Sequence, residues 1–262
     1  DSVLEFERLL SNYFNRPVVC VSTGTAALQL AIQALGIKKG DEILVPTITY
    51  VASFQAISAN GAKPVPCDIN PESLLIDLSD AEKKVSSNTK AIMPVNYAGD
   101  PSDLTEVYNF AKKFNLRVIQ DSAHAFGSKF NDKLVGSFGD ISCFSFDGIK
   151  NITSGEGGCV VTDDIEVINN IKDSRLLGVV NDTVKRYSGN RSWIFDVKNQ
   201  GWRYHMSNIM AAIGIEQFKK KNGFSEKRKL LAKYYDKLLI SREEVNFFNR
   251  NYDNINPHIY VV

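Results

Sequence analysis

VVCVSTGTAALQLAIQALGIKKGDEILVPT, residues 18–47, holds two apolar strand patterns with a helical pattern between them. VVCVS and DEILVPT are apolar at successive positions, as expected for strands covered on both faces. TAALQLAIQALG carries small and aliphatic residues at helical spacing and closes at Gly36, a residue type that enters the left-handed conformation at a helix end without strain. A strand, a crossover helix and a second strand predict parallel pairing.

The alternation extends outward in both directions. Upstream, DSVLEFERLLSNYF reads as an amphipathic helix; downstream, VASFQAISANG reads as a helix closed by Gly61 and KPVPCDI as a strand. AIMPVNY (strand), SDLTEVYNFAKKFN (helix), RVIQDS, ISCFSF and GGCVVTD (strands) and IEVINNIKDSRLLG (helix) complete the series. The pattern predicts a layered α/β fold around a mostly parallel sheet. Residues 181–204 have no clear period and hold both tryptophans, which reads as an ordered excursion rather than a linker. Residues 206–239 read as one or two long helices, and HIYVV at 258–262 as a strand with nothing after it to close the fold. With no Met at the start, the chain is expected to be a fragment.

Of 262 residues, 44% are hydrophobic and 23% charged, which excludes disordered and collagen-like classes. A balance of 31 basic against 30 acidic side chains gives no global field for nucleic acid or an anionic membrane, so any anion site must be local. No apolar run approaches the ~20 residues of a membrane span and no signal-peptide pattern opens the sequence. Cys20, Cys67, Cys143 and Cys159 sit apart in apolar stretches and read as buried, reduced thiols, which fits a cytoplasmic protein. His124, His205 and His258 make no ligand cluster with them, so no metal site is expected.

In open α/β sheets ligands bind beyond the carboxyl ends of the strands, and several polar residues fall there. Gly24 and Thr25 in STGTAALQL lie between a strand and a helix, where free N–H groups and the positive helix end suit a phosphate; a plain N-cap and tight turn would use the same residues. The Walker and GxGxxG patterns are both absent. Asp121 ends RVIQ, where a buried carboxylate needs a cation or hydrogen-bond donors; a pyridinium nitrogen is one such partner, and a helix N-cap the alternative. His124 could bond the phenolic oxygen of such a ring or lie on its face. Tyr50 in PTITYVAS follows a strand where an aromatic can stack on a planar cofactor or pack in the core. Lys150 in SFDGIKNITSGEGG reads as a Schiff-base lysine: a free ammonium, with a pKa of roughly 10.4, needs shielding or neighbouring cations to become nucleophilic near neutrality. Ser145 offers a hydroxyl to a phosphate, the GEGG turn allows close backbone approach, and Glu156 reads as exposed turn charge.

STGTAAL, PTITYVAS, QDSAHAFGS and SFDGIKNITSGEGG in this order, followed by GWRYHMSNIMAAIGIEQF, resemble the DegT/DnrJ/StrS family of pyridoxal-phosphate sugar aminotransferases over residues 3–240. The resemblance implies the aspartate-aminotransferase fold: a three-layer α/β/α domain with a mostly parallel sheet and a small C-terminal α+β domain, in a homodimer with shared active sites. A large domain over 1–215 and an incomplete small domain over 216–262 are expected. By the same resemblance Lys150 forms the Schiff base, Asp121 meets the pyridine nitrogen, Tyr50 stacks on the ring and His124 lies near the ring hydroxyl. Gly24, Thr25, Ala26 and Ser145 match the phosphate-holding positions. Arg203 and His205 replace the Asn and Arg of the motif with which many members reach the partner subunit's cofactor phosphate.

The activity so implied is transfer of an amino group from glutamate to a keto group on a nucleotide-linked sugar for polysaccharide biosynthesis, with Lys150 shuttling the proton. Lys185, Arg186 and Arg191 are candidates for substrate phosphates, or solvated surface charge. A sugar dehydratase on the same scaffold is the alternative enzyme, although such relatives replace the lysine with histidine. A non-catalytic cofactor-binding relative is the alternative from another class.

Overall fold

Apolar residues at successive strand positions end up on opposite faces of a pleated sheet, so both faces of this one must be covered. The computed structural model describes residues 1–101, 103–179, 196, 197, 199–245, 248 and 250–262. Its strands are β1 (Val18–Val21), β2 (Glu42–Pro46), β3 (Lys63–Cys67), β4 (Thr89–Ile92), β5 (Arg117–Asp121), β6 (Lys129–Phe130), β7 (Lys133–Leu134), β8 (Ile141–Ser145) and β9 (Gly158–Thr162). The α-helices are α1 (Ser2–Phe14), α2 (Gly24–Ala34), α3 (Val51–Ala59), α4 (Leu78–Lys84), α5 (Leu104–Phe114), α6 (Ile165–Ser174) and α7 (Asn208–Leu239).

Seven strands form one sheet in the order β1-β9-β8-β5-β4-β2-β3, and β6 and β7 form a separate hairpin. Pairing is parallel from β3 through β2, β4 and β5 to β8; β9 alone runs against its neighbours β8 and β1. The expected mostly parallel sheet is therefore present. Val19 and Val21 face α2, α3 and α6, while Val18 and Cys20 face α1 and α7. Leu44, Cys67, Ile92 and Val118 pack against α4 and α5. These are the three layers expected from the sequence.

Local chemistry sets the element ends. Asp1 caps α1 through a bond from the Val3 N–H at 2.9 Å, and Val3, Phe6, Leu10 and Phe14 form the buried stripe at three- and four-residue spacing. Asp103 and Asp164 cap α5 and α6 in the same way. The AIMPVNY pattern yields a strand only as far as Ile92, because Pro94 has no N–H to donate to a ladder.

Two features differ from the sequence reading. Helix α4 and the β6–β7 hairpin are too short to show a period. Residues 258–262 pair with no strand among the described residues; His258 instead stacks on His124, as described below. Residues 208–239 form one long helix, as the reading of 206–239 allows, with Ala211, Gly214 and Ile215 buried and, beyond them, only Ala232. The cysteines are all free and buried. Lys185, Arg186 and Arg191 lie outside the described residues.

Candidate active site

Three strand ends converge on one cavity of about 510 Å³. At the end of β1, Thr23 accepts the Ala26 N–H on its hydroxyl at 3.0 Å and caps α2. That leaves the first-turn N–H groups of Gly24 and Thr25 without an acceptor inside the helix. Ser145, the last residue of β8, lies against this turn: a Cβ on Gly24 would sit 2.7 Å from the Ser145 Cβ. Behind it, a Cβ on Gly158 would meet the Thr23 carbonyl at 2.5 Å. Glycine is what lets α2 aim its N-terminus at the strand ends this closely.

Asp121 ends β5 and is buried. The Ser53 hydroxyl donates to its Oδ2 at 2.7 Å and the Ala123 N–H to its Oδ1 at 3.2 Å. Burial pushes this carboxyl above the usual range, with the two hydrogen bonds and the nearby Lys150 charge opposing. Ser53 shares a further 2.6 Å hydroxyl contact with Thr49, so the carboxylate is oriented from α3. Ser53 does not stand out in the sequence; its one signal is a hydroxyl in the otherwise apolar first turn of VASFQAIS.

Lys150 follows β8 in a loop knitted by bonds from the Ser154 N–H to the Phe146 carbonyl (2.8 Å) and from the Phe146 N–H to the Gly157 carbonyl (2.8 Å). Burial draws its pKa below the ordinary lysine value, while Asp121 and Asp147 pull it back up. A lysine in this balance holds its proton less firmly than a surface lysine.

His124 lies parallel to His258 with ring centroids 4.0 Å apart and 7° between planes. Its Nδ1 accepts the Ala98 N–H at 3.3 Å. Burial pushes the His124 pKa down to about 4, with a smaller push from Lys150. Tyr50, 73% exposed, stands at the N-terminus of α3 on the cavity rim, where covering a planar ligand would bury an otherwise wet ring.

Of the residues singled out from the sequence, Gly24, Thr25, Tyr50, Asp121, His124, Ser145 and Lys150 all line this cavity, as does Glu156. Ala26 sits one residue deeper in α2. Arg203 and His205 are elsewhere: Arg203 bridges to Leu176 and His205 to Val21, on a segment running beside β1. His258 and Ile259, unremarked as site residues in the sequence, form part of the wall.

Residues 1–261 match the DegT/DnrJ/EryC1/StrS aminotransferase family. The chain belongs to this family. GDP-perosamine synthase of Escherichia coli O157:H7 is 43% identical over 226 residues, which are 86% of this chain and 59% of that protein. An uncharacterised protein of Methanocaldococcus jannaschii, MJ1066, is 40% identical over 234 residues, 89% of this chain and 61% of its own length. The chain thus spans about three fifths of the curated relatives it matches. Among solved structures, the Streptococcus pneumoniae protein Spr1654 superposes in its PMP form with a TM-score of 0.90 at 30% identity, covering 99% of this chain and 71% of that one. The same protein is also known in a PLP form.

Pyridoxal phosphate, the family's cofactor, suits the residues present. Asp121 is a buried carboxylate whose hydrogen bonds come from a hydroxyl and an amide, leaving it suited to a pyridinium partner. The α2 N-terminus with Ser145 makes an anion cradle, and Lys150 brings an amine to the same cavity.

Proposed function

We propose that the protein is a pyridoxal-phosphate-dependent aminotransferase that moves an amino group from glutamate to a keto group on a nucleotide-linked sugar. The observation that carries this reading is the convergence of Lys150, buried Asp121 and the α2 N-terminus on one cavity. The likeness to GDP-perosamine synthase supports a nucleotide-linked sugar.

When bound, the cofactor supplies a carbonyl carbon that takes up the amino group and a ring that withdraws electrons from the donor's α-carbon. Asp121 holds the ring nitrogen protonated, with Ser53 fixing the carboxylate's direction. The Gly24 and Thr25 N–H groups and the Ser145 hydroxyl hold the phosphate. Ala26 adds least to this cradle, because its own N–H is engaged by Thr23. Lys150 anchors the cofactor and then carries a proton on Nζ, a task for which a lowered pKa suits it. Tyr50 on the rim would cover the ring, and His124 would hydrogen-bond the ring hydroxyl.

Either Arg203 or His205, both outside this cavity, serves the cofactor phosphate of a second subunit in a homodimer. The large domain covers 1–215, and residues 216–262 belong to a small domain. Reduced, buried cysteines suit a cytoplasmic setting.

Borohydride reduction of the cofactor-loaded protein followed by peptide mass analysis is expected to find the cofactor on Lys150, and glutamate is expected to be consumed when keto-sugar nucleotides are supplied. A protein that takes up no cofactor on Lys150 rules out this function.

A further inference from the structure

The C-terminal stretch 251–262 contributes a wall to the cavity, and it is fastened to both sides of it. On one side Asn256 donates from its side chain to the Phe126 carbonyl at 2.7 Å and from its backbone to the Ser128 hydroxyl at 3.0 Å. On the other, the Asn151 side chain, next to Lys150, donates to the Asn256 and Pro257 carbonyls at 3.2 and 3.4 Å. Arg228 on α7 forks between the two: its Nη1 donates to the His258 carbonyl at 3.0 Å and its Nη2 to the Lys150 carbonyl at 3.4 Å.

These ties deliver His258 onto the face of His124. Ala98 locks the pair from behind. Its N–H donates to His124 Nδ1 at 3.3 Å and its carbonyl accepts the His258 N–H at 3.5 Å. Ala98 does so with φ 56, a left-handed conformation uncommon for a residue with a Cβ. Both nitrogens of the His258 imidazole are buried without a hydrogen-bond partner among the described residues. A fold tolerates the cost of such unpartnered nitrogens when the ring's position serves something else.

We propose that His258 is a positioning residue that, with Arg228, holds His124 as a neutral imidazole with its proton on Nε2, so that His124 offers a fixed N–H donor to a ligand oxygen in the cavity. Because Nδ1 accepts from Ala98 it carries no proton, and Nε2 is the nitrogen left for a ligand. The stacked ring excludes water from one face of His124 and so disfavours the charged form. The groups facing the pair are Lys150 from the loop after β8, Arg228 from α7 and Tyr97, whose ring is 5.8 Å from His124. The cations and burial act in one direction, and the His258 pKa is pushed down to about 3. Under the proposed function, on which this inference rests, the ligand oxygen is the phenolic oxygen of the cofactor.

The test uses cofactor-free protein labelled with 15N-histidine, which has three imidazoles to assign. Long-range 1H–15N spectra are expected to show His124 neutral and protonated on Nε2 between pH 5 and 8. His258→Phe, which keeps a stacked ring, is expected to preserve this pattern. His258→Ala is expected to raise the His124 midpoint toward the ordinary value of about 6.5 and to lower kcat about tenfold with KM little changed. Arg228→Lys, which cannot fork between two carbonyls, shifts the midpoint the same way by less and decides the matter if His258→Ala does not fold. An Nδ1-protonated or charged His124 in the wild type at pH 7, or a His124 midpoint unmoved in His258→Ala and Arg228→Lys, overturns the proposal. Failure of borohydride to label Lys150 while the His124 pattern stands as described overturns the proposed function and supports this positioning role.

Discussion

The two halves of the cavity are built on different principles. The strand-end half, comprising the α2 N-terminus, Asp121, Ser145 and Lys150, belongs to a seven-stranded sheet whose strands are buried on both faces. The tail half, comprising His258 and Ile259, is irregular backbone held by side-chain to main-chain bonds from Arg228, Asn151 and Asn256. The first half is positioned by apolar packing that cannot shift without opening the core. The second is positioned by single hydrogen bonds, each replaceable at modest cost. Chemistry that must not move is expected in the first half and its tuning in the second.

Lys150→Ala is the strongest way to break this contrast. It is expected to abolish attachment of the cofactor and to lower amino transfer by ~10²–10⁴-fold or more, read by visible absorbance and single-turnover assays. If Lys150→Ala and His258→Ala prove equally damaging to turnover, the division between chemistry and tuning fails.

Asp121→Asn comes next. Asp121 raises the Lys150 pKa, so its neutralisation lowers that pKa further. The acid limb of cofactor attachment should move to lower pH even as turnover falls, whereas Asp147→Asn should shift the limb the same way by less. Spectrophotometric pH titration of the three proteins checks the order.

Gly24→Ala tests the packing of the strand-end half. Its Cβ would sit 2.7 Å from the Ser145 Cβ and 3.3 Å from the Ser145 Cα, which leaves little room to yield. A loss of about 1–3 kcal/mol in stability and weaker phosphate holding are expected from denaturant titration and cofactor retention. In the tail half, Asn256→Ala removes the donor to the Phe126 carbonyl. Its expected cost is about 1 kcal/mol, with the cofactor bound more loosely but the chemistry intact.

Stability is also expected to depend on pH. The folded pKa values of His124 and His258, about 4 and about 3, lie below the unfolded value of about 6.5. The unfolded chain therefore binds more protons in that window, and stability falls as pH drops below about 6.5, by up to ~1.4 kcal/mol per pH unit for each histidine. His258→Phe should remove one histidine's share of that slope. An unchanged slope means that the pair is not shielded as described.

How much of the site could be read from residue order follows the same division. Gly24, Thr25, Asp121, Ser145 and Lys150 were legible because each lies at the end of a strongly apolar strand or beside one, where the sheet's own periodicity marks the carboxyl edge. Ser53 was not, because its partner Asp121 is far along the chain and a single hydroxyl in a helix has no periodic signature. His258 was read as part of a strand, since HIYVV carries β-branched and aromatic residues, yet residues 258–262 pair with no strand among the described residues and His258 stacks on His124 instead.

Residue order alone determined the alternation of helices and strands, the two-faced burial of the sheet and the helix ends set by Asp1, Asp103 and Asp164, because these depend on neighbours within a turn or two. It also carried the family likeness, through motifs that stay intact as short strings. Only the tertiary structure decided that α3 orients Asp121 through Ser53, that α7 reaches Lys150 and His258 through Arg228, and that two histidines distant in sequence share one stack. Those contacts join segments with no common period, so they exist only once the chain's distant parts have been brought together by the burial of the core.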